Sequence, residues 1–149
     1  MKKKFILCII LLSIVITGCK NINSSNEKDD IVEEIANLFK DDSNDYIINN
    51  LDDNVLNGER YEINFNDDFL LNVYVYSSEE DAITDANYLS DDGYEYKKTY
   101  KENSITTIID WISPPHFFQY KNSIVLYLGD NQDVLGQLSN NLGEQIAGK

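Results

Sequence analysis

His116 is the only imidazole in the chain, and it stands between Ser113-Pro114-Pro115 and Phe117-Phe118. A Ser-His-acid device would need that ring beside a hydroxyl such as Ser113, Ser104 or Ser123, with a carboxylate to orient it. None of these serines sits in the nucleophile-elbow pattern, so His116 is expected to open a hairpin and to hydrogen-bond the preceding loop. A zinc site built on histidine lacks partner residues. Carboxylates are plentiful, in Asp41-Asp42, Asp52-Asp53, Asp67-Asp68, Glu79-Glu80-Asp81 and Asp91-Asp92. Glycoside hydrolysis needs two such groups held across a cleft. Most of these pairs fall at expected turns or first helical turns, where they cap backbone donors and meet the positive end of a helix dipole. From Asn64 to Asp68 oxygen-bearing side chains alternate as in a calcium loop, but an EF-hand would need glycine where Phe69 stands and glutamate where Val75 stands. The residues therefore point to no catalytic group, no metal and no cofactor, and the chain is expected not to be an enzyme.

Tyrosine is the residue type whose placement suggests recognition. Tyr74, Tyr76, Tyr94, Tyr96, Tyr100, Tyr120 and Tyr127 all fall on expected strands, and Tyr74 and Tyr76 share the face opposite Val73 and Val75. A phenol offers a large apolar area with a polar tip at low entropic cost, which suits a binding surface. Tyr74, Tyr76, Tyr94 and Tyr96, with His116, form the candidate recognition surface. The alternative is that they pack beneath helices or pair across strands, and exposure of the Tyr74/Tyr76 face separates the two.

The cysteines carry a different chemistry. Lys2, Lys3 and Lys4 precede a twelve-residue apolar run, Phe5 to Ile16, broken only by Cys8 and Ser13. That matches a signal peptide, and the run is short of the roughly 20 residues that span a bilayer. Ile16-Thr17-Gly18-Cys19, at the end of that run, resembles the lipobox of bacterial lipoproteins. The resemblance implies cleavage between Gly18 and Cys19 and a diacylglycerol on the Cys19 thiol. Two acyl chains, at ~0.8 kcal/mol per buried CH₂, anchor a protein stably to the outer face of a cell membrane. Cys8 would leave with residues 1–18 and Cys19 would be acylated, so no thiol would remain for a disulfide, a metal or a nucleophile.

Removal of residues 1–18 takes three of the 12 basic residues and none of the 26 acidic ones, leaving 131 residues with a formal charge of −17. Such a field disfavours nucleic acid, anionic lipid and anionic wall polymers, and favours a basic peptide or protein, or divalent cations. A hydrophobic content of 42% is too high for global disorder, and the length suits one folded unit. The expected organisation is a signal peptide over 1–18, a lipidated cysteine and polar tether over 19–28, and a single domain over 29–149.

The elements that must position these residues are read from periodicity. Ile31, Val32, Ile35, Leu38 and Phe39 recur at helical spacing behind a capping-box-like Asp30 and Glu33. A second helix is expected over Asp45 to Asn57, with Gly58 as its stop. Alternation then predicts a hairpin, Tyr61, Ile63 and Phe65 returning through Asn66-Asp67-Asp68 to Phe69, Leu71, Val73 and Val75. A third helix capped by Ser77 or Ser78 carries Ala82, Ile83, Ala86 and Leu89 inward and ends at Gly93. Strands follow at Tyr94 to Tyr100, Ile105 to Trp111, Phe117 to Tyr120 and Ile124 to Leu128. A last helix is capped by Asp130 or Asn131 and closed by Gly143. The order ααββαββββα predicts an α+β domain, a mainly antiparallel sheet of about five to six strands with helices packed on it.

From Asn72 to Gly148 the chain resembles a group of small lipoproteins of Gram-positive bacteria. The resemblance is carried by Val73-Tyr74-Val75-Tyr76, Ala82 and Ala86 before Asp92-Gly93, Trp111 with Pro115-His116-Phe117-Phe118, and Ile124-Val125-Leu126-Tyr127-Leu128-Gly129 leading to Leu142-Gly143-Glu144-Gln145-Ile146-Ala147-Gly148. It implies a lipid-anchored, extracytoplasmic location rather than an activity. The function expected from all of this is a non-catalytic binding or interaction module. An envelope inhibitor or immunity-type lipoprotein is the alternative, and a hydrolase acting on wall or peptide substrates is a third.

Overall fold

A computed structural model of the chain describes residues 24–40, 45–66, 68–101 and 103–149. The expected signal peptide, the Gly18-Cys19 cleavage site and lipidation of Cys19 lie outside the described residues. Alternation in the sequence becomes a hairpin of β2 (Glu59–Phe65) and β3 (Phe69–Val75), paired from Glu59↔Val75 to Phe65↔Phe69. Asn66 turns it with a φ of 41°, a left-handed conformation that asparagine tolerates. A second hairpin, β6 (Pro115–Tyr120) and β7 (Ser123–Leu128), joins the first by pairing β7 with β3. With β1 (Ile47–Leu51) and β8 (Gln145–Ala147) at the edges, the order is β1-β2-β3-β7-β6-β8, antiparallel throughout.

The pleat sends alternate side chains to two different cores. Tyr61, Ile63, Phe65, Leu71, Val73, Val75, Phe118 and Val125 pack against α1 (Ser24–Phe39), through Ile31, Val32, Ile35, Ala36 and Phe39, and against α3 (Gln132–Leu142), through Val134, Leu138 and Leu142. Tyr74, Tyr76, Phe117, Ile124 and Leu126 face the other way. They pack against Ala82 of α2 (Glu79–Ala86) and Tyr96 of β4 (Glu95–Tyr100). Among the described strands β4 pairs with β5 (Asn103–Ile108), as a separate two-stranded sheet. The α+β class and the mainly antiparallel sheet are as the sequence predicts, with three helices and eight strands among the described residues. Among the described residues both cores are built from side chains between Ile31 and Ala147. No described helix is long and apolar enough to cross a membrane.

The expected order is corrected at several points. No helix forms over Asp45 to Asn57. The segment supplies β1 instead, because asparagines at 49, 50 and 54 weaken a helix while the open edge of β2 offers a five-residue ladder to the β-branched pair Ile47-Ile48. Gly58 is therefore no helix stop. It is buried against Tyr74, where an added Cβ would come within 2.9 Å of the tyrosine Cβ. α1 begins at Ser24 rather than Asp30, taking in residues assigned to the tether, since nothing from Ser24 to Asp30 breaks a helix. α2 ends at Ala86; Leu89 forms a bridge with Tyr96, and Gly93, at a φ of 75°, turns the chain ahead of β4. Ile83 is exposed, while Asp85 is buried in the inward face of that helix. β8, with three residues, is too short for alternation to signal and is an addition to the expected order.

Candidate functional site

Four elements converge on the carboxylate of Asp85, which is 2% exposed. Ser78 caps α2, its Oγ accepting from Asp81 N at 3.1 Å, and so fixes the turn that delivers Asp85 inward. Asp85 Oδ2 accepts from the Tyr76 hydroxyl at 2.7 Å and from Asn57 N at 2.9 Å. Oδ1 accepts from the Tyr96 hydroxyl and from Asn57 Nδ2. Tyr76 follows β3, Tyr96 lies on β4 and Asn57 lies in the loop before β2, so one carboxylate ties together elements distant in sequence. Lys98 Nζ donates to Asn57 Oδ1 at 2.6 Å and lies 5.2 Å from the Tyr96 ring centroid, a cation–π distance. Burial first, and then the Asp85 acceptor, push the Tyr76 and Tyr96 phenols above the ordinary tyrosine range. Both stay protonated and donate.

Above this network lies a cleft of about 700 Å³, with Lys28, Glu59, Asp81, Thr84, Tyr88 and Lys98 among its walls. Lys28 Nζ meets Glu59 Oε2 at 2.6 Å, and Asn50 Nδ2 and the Tyr61 hydroxyl donate to Glu59 Oε1 at 2.8 and 3.0 Å. The Lys28 bond, then that from Asn50, hold the Glu59 carboxyl below its usual range. Burial, and then the Glu59 acceptor, raise Tyr61 to about 12. Asp81 is exposed and accepts from Ser78 Oγ at 2.8 Å. On the other side of Asn54 and Lys98 runs a groove of about 540 Å³ with Val55, Tyr96, Ile105, Thr107 and Ile109 along it. A polar cleft and a more apolar groove thus share a wall. Each oxygen of Asp85 is engaged by two donors, which makes it an anchor for the cleft floor. Every buried side-chain nitrogen and oxygen among the described residues has a partner, so the surface is set before any ligand arrives.

The candidate recognition residues do not form one surface. Tyr74 is 1% exposed, Tyr76 6% and Tyr96 7%, so these three are core beneath the cleft rather than an open face. The reason is that α2 and the β4–β5 hairpin cover the sheet face that carries them. Tyr94 is exposed. His116 lies on the opposite face of the sheet from Tyr74, its ring stacked on Tyr127 at 6.2 Å and its Nδ1 3.2 Å from Gln145 Oε1. Its partner is thus on β8 rather than in the preceding loop. Ser123 Oγ donates to Tyr120 O at 2.6 Å. Among the described residues no three histidine, cysteine or acidic side chains gather where a metal could be held.

The sequence does not single out Asp85, Asn57 or Lys98. The one signal was a carboxylate three residues after Ala82, on the face of α2 that must pack. Comparison of the chain with protein-family models, curated proteins and solved structures finds no match.

Proposed function

We propose that this chain is a lipid-anchored module on the extracytoplasmic face of a cell membrane, which binds a basic peptide or protein segment and does not transform it. The observation that carries the binding reading is the preset cleft, whose floor is locked by Asp85 and whose polar wall continues into an apolar groove. An extended segment that alternates cationic and aliphatic side chains matches that pair of surfaces. The exposed carboxylate of Asp81 at the cleft, within a chain of net charge −14, supplies the attraction. The lipobox resemblance at Cys19 supports the anchored location, and a membrane tether places this field where extracellular cationic segments arrive.

A random peptide array probed with the chain from Ser24 to Lys149 tests the reading. Captured sequences should be enriched in lysine and arginine interleaved with aliphatic residues. Asp81→Lys should weaken capture of the best peptide by roughly threefold to tenfold at low salt, and less at high salt. Capture without cationic enrichment, or an unchanged affinity in Asp81→Lys, would sink it.

A further inference from the structure

The β4–β5 hairpin lies outside the six-stranded sheet, so each of its strands has an edge that the other does not cover. Ile109 N donates to Tyr94 O at 2.9 Å, which sets the phase of the ladder. Opposed residues in an antiparallel pair alternate between exchanging both bonds and turning them away. In the register Glu95↔Ile108 to Tyr100↔Asn103, Tyr96 with Thr107 and Lys98 with Ile105 exchange bonds. Glu95, Lys97 and Thr99 on β4, and Ser104, Thr106 and Ile108 on β5, therefore turn their backbone groups outward. On β4 that edge is occupied: Lys97 N donates to Tyr88 O at 2.7 Å and Glu95 O accepts from Ser90 N at 2.9 Å. On β5 the outward groups have no such partner among the described residues.

The strand so displayed is Asn103-Ser104-Ile105-Thr106-Thr107-Ile108, uncharged, β-branched in its last four positions and exposed along its whole length. Ile105 is 63% and Ile108 78% exposed. Free edges in stable proteins are normally guarded by charge, proline or a covering segment; β5 carries no charge and no proline, and no described residue covers it. We infer that the free edge of β5 is a site of antiparallel strand addition, and that its occupant is β5 of a second copy of this chain.

Charge selects the second copy. The chain as a whole is at −14, so most of its surface repels its own kind, but residues 94–109 carry three lysines against two glutamates. The hairpin is where two copies can approach without that repulsion. The pairing is also self-complementary, as a two-fold interface must be. With Thr106 opposite its own copy and Ser104 opposite Ile108, every outward-turned residue meets another, closing about six backbone hydrogen bonds. Ile105 then falls opposite Thr107 of the second copy, a β-branched cross-strand pair. Pairing at the β5 edge does not depend on ligand binding in the cleft, although Ile105 and Thr107 also border the apolar groove.

Sedimentation equilibrium of the chain from Ser24 to Lys149 tests it. A reversible monomer–dimer equilibrium is expected below about 1 mM protein. Thr106→Pro removes an outward N–H and no bond of the β4 ladder, and edge strands accept the fixed φ of proline, so it should abolish the dimer while the monomer stays folded with a thermal midpoint within a few degrees of the parent. Thr106→Lys, which sets two ammonium groups face to face across the two-fold, should weaken the dimer about tenfold or more. Thr106→Cys should give a covalent dimer under mild oxidation. A wild-type chain monomeric throughout, or a dimer of unchanged affinity in both Thr106→Pro and Thr106→Lys, would overturn the inference. Capture of a basic peptide at β5 by a monomeric chain would overturn it too, and would leave the cleft reading to its own test.

Discussion

Asp85→Ala is the most informative perturbation of the core. It removes the acceptor of four hydrogen bonds at once. The two from Asn57 matter least, because that residue is exposed and water replaces the lost partner. The hydroxyls of Tyr76 and Tyr96 are different: both residues are under 10% exposed, and neither phenol has a second acceptor among the described residues. A buried donor left unsatisfied costs about 1–3 kcal/mol, so two give a destabilisation of about 2–6 kcal/mol. Removing donors along with the acceptor should recover much of this, since an apolar replacement of both partners leaves nothing unpaired. Asp85→Ala combined with Tyr76→Phe and Tyr96→Phe is therefore expected to be more stable than Asp85→Ala alone. Urea unfolding of the chain from Ser24 to Lys149, followed by tyrosine and tryptophan fluorescence, measures each variant. An Asp85→Ala midpoint equivalent to less than about 0.5 kcal/mol of loss would refute the reasoning, because that is the scale of an ordinary surface change. So would a triple variant that loses the sum of its parts.

Two further outcomes follow from single contacts. Gly58→Ala would place a Cβ 2.9 Å from Tyr74 Cβ and from Tyr76 Cζ and 3.0 Å from the Tyr74 backbone carbonyl carbon, where paired strands resist movement. It should cost about 1–3 kcal/mol in calorimetry, and an unchanged melting temperature would contradict that packing. Tyr61, raised to about 12 by burial and then by the Glu59 bond, holds its proton more tightly folded than unfolded. Its contribution is complete below the unfolded tyrosine value of about 10 and is lost as the pH rises toward 12, so stability should fall across that window. Tyr61→Phe should flatten this decline in a pH series of urea midpoints, and an equal slope in both proteins would count against it.

What was legible in the sequence follows the range of the forces involved. The β2–β3 hairpin is written in strict alternation closed by a polar turn, and the α3 boundaries in Asn131 and Gly143, all local signals that survive folding. The sequence of β1 predicts a helix because Ile47, Ile48, Leu51 and Val55 satisfy a helical stripe. What decides the matter is a partner strand, and no local pattern reports that. Tyr74, Tyr96, Tyr100, Tyr120 and Tyr127 lie on strands as expected, whereas Tyr76 follows β3 and Tyr94 precedes β4, and exposure depends on what covers the sheet. α2 and the β4–β5 hairpin bury Tyr74, Tyr76 and Tyr96 and leave Tyr94 outside. No local pattern marks Asp85, for the related reason that its donors come from residues 57, 76 and 96, which only the fold assembles.

The proposed location of this cleft, on the outer face of a membrane, rests on Cys19. Intact-mass analysis of the chain recovered from the membrane fraction of a Gram-positive host tests the placement directly. The expected result is a polypeptide beginning at Cys19 whose mass exceeds the residue sum by a diacylglycerol group, and a Cys19→Ala variant that keeps residues 1–18 and lacks that mass. A wild-type chain that retains its first 18 residues, or that begins at Cys19 with a free thiol, would contradict it.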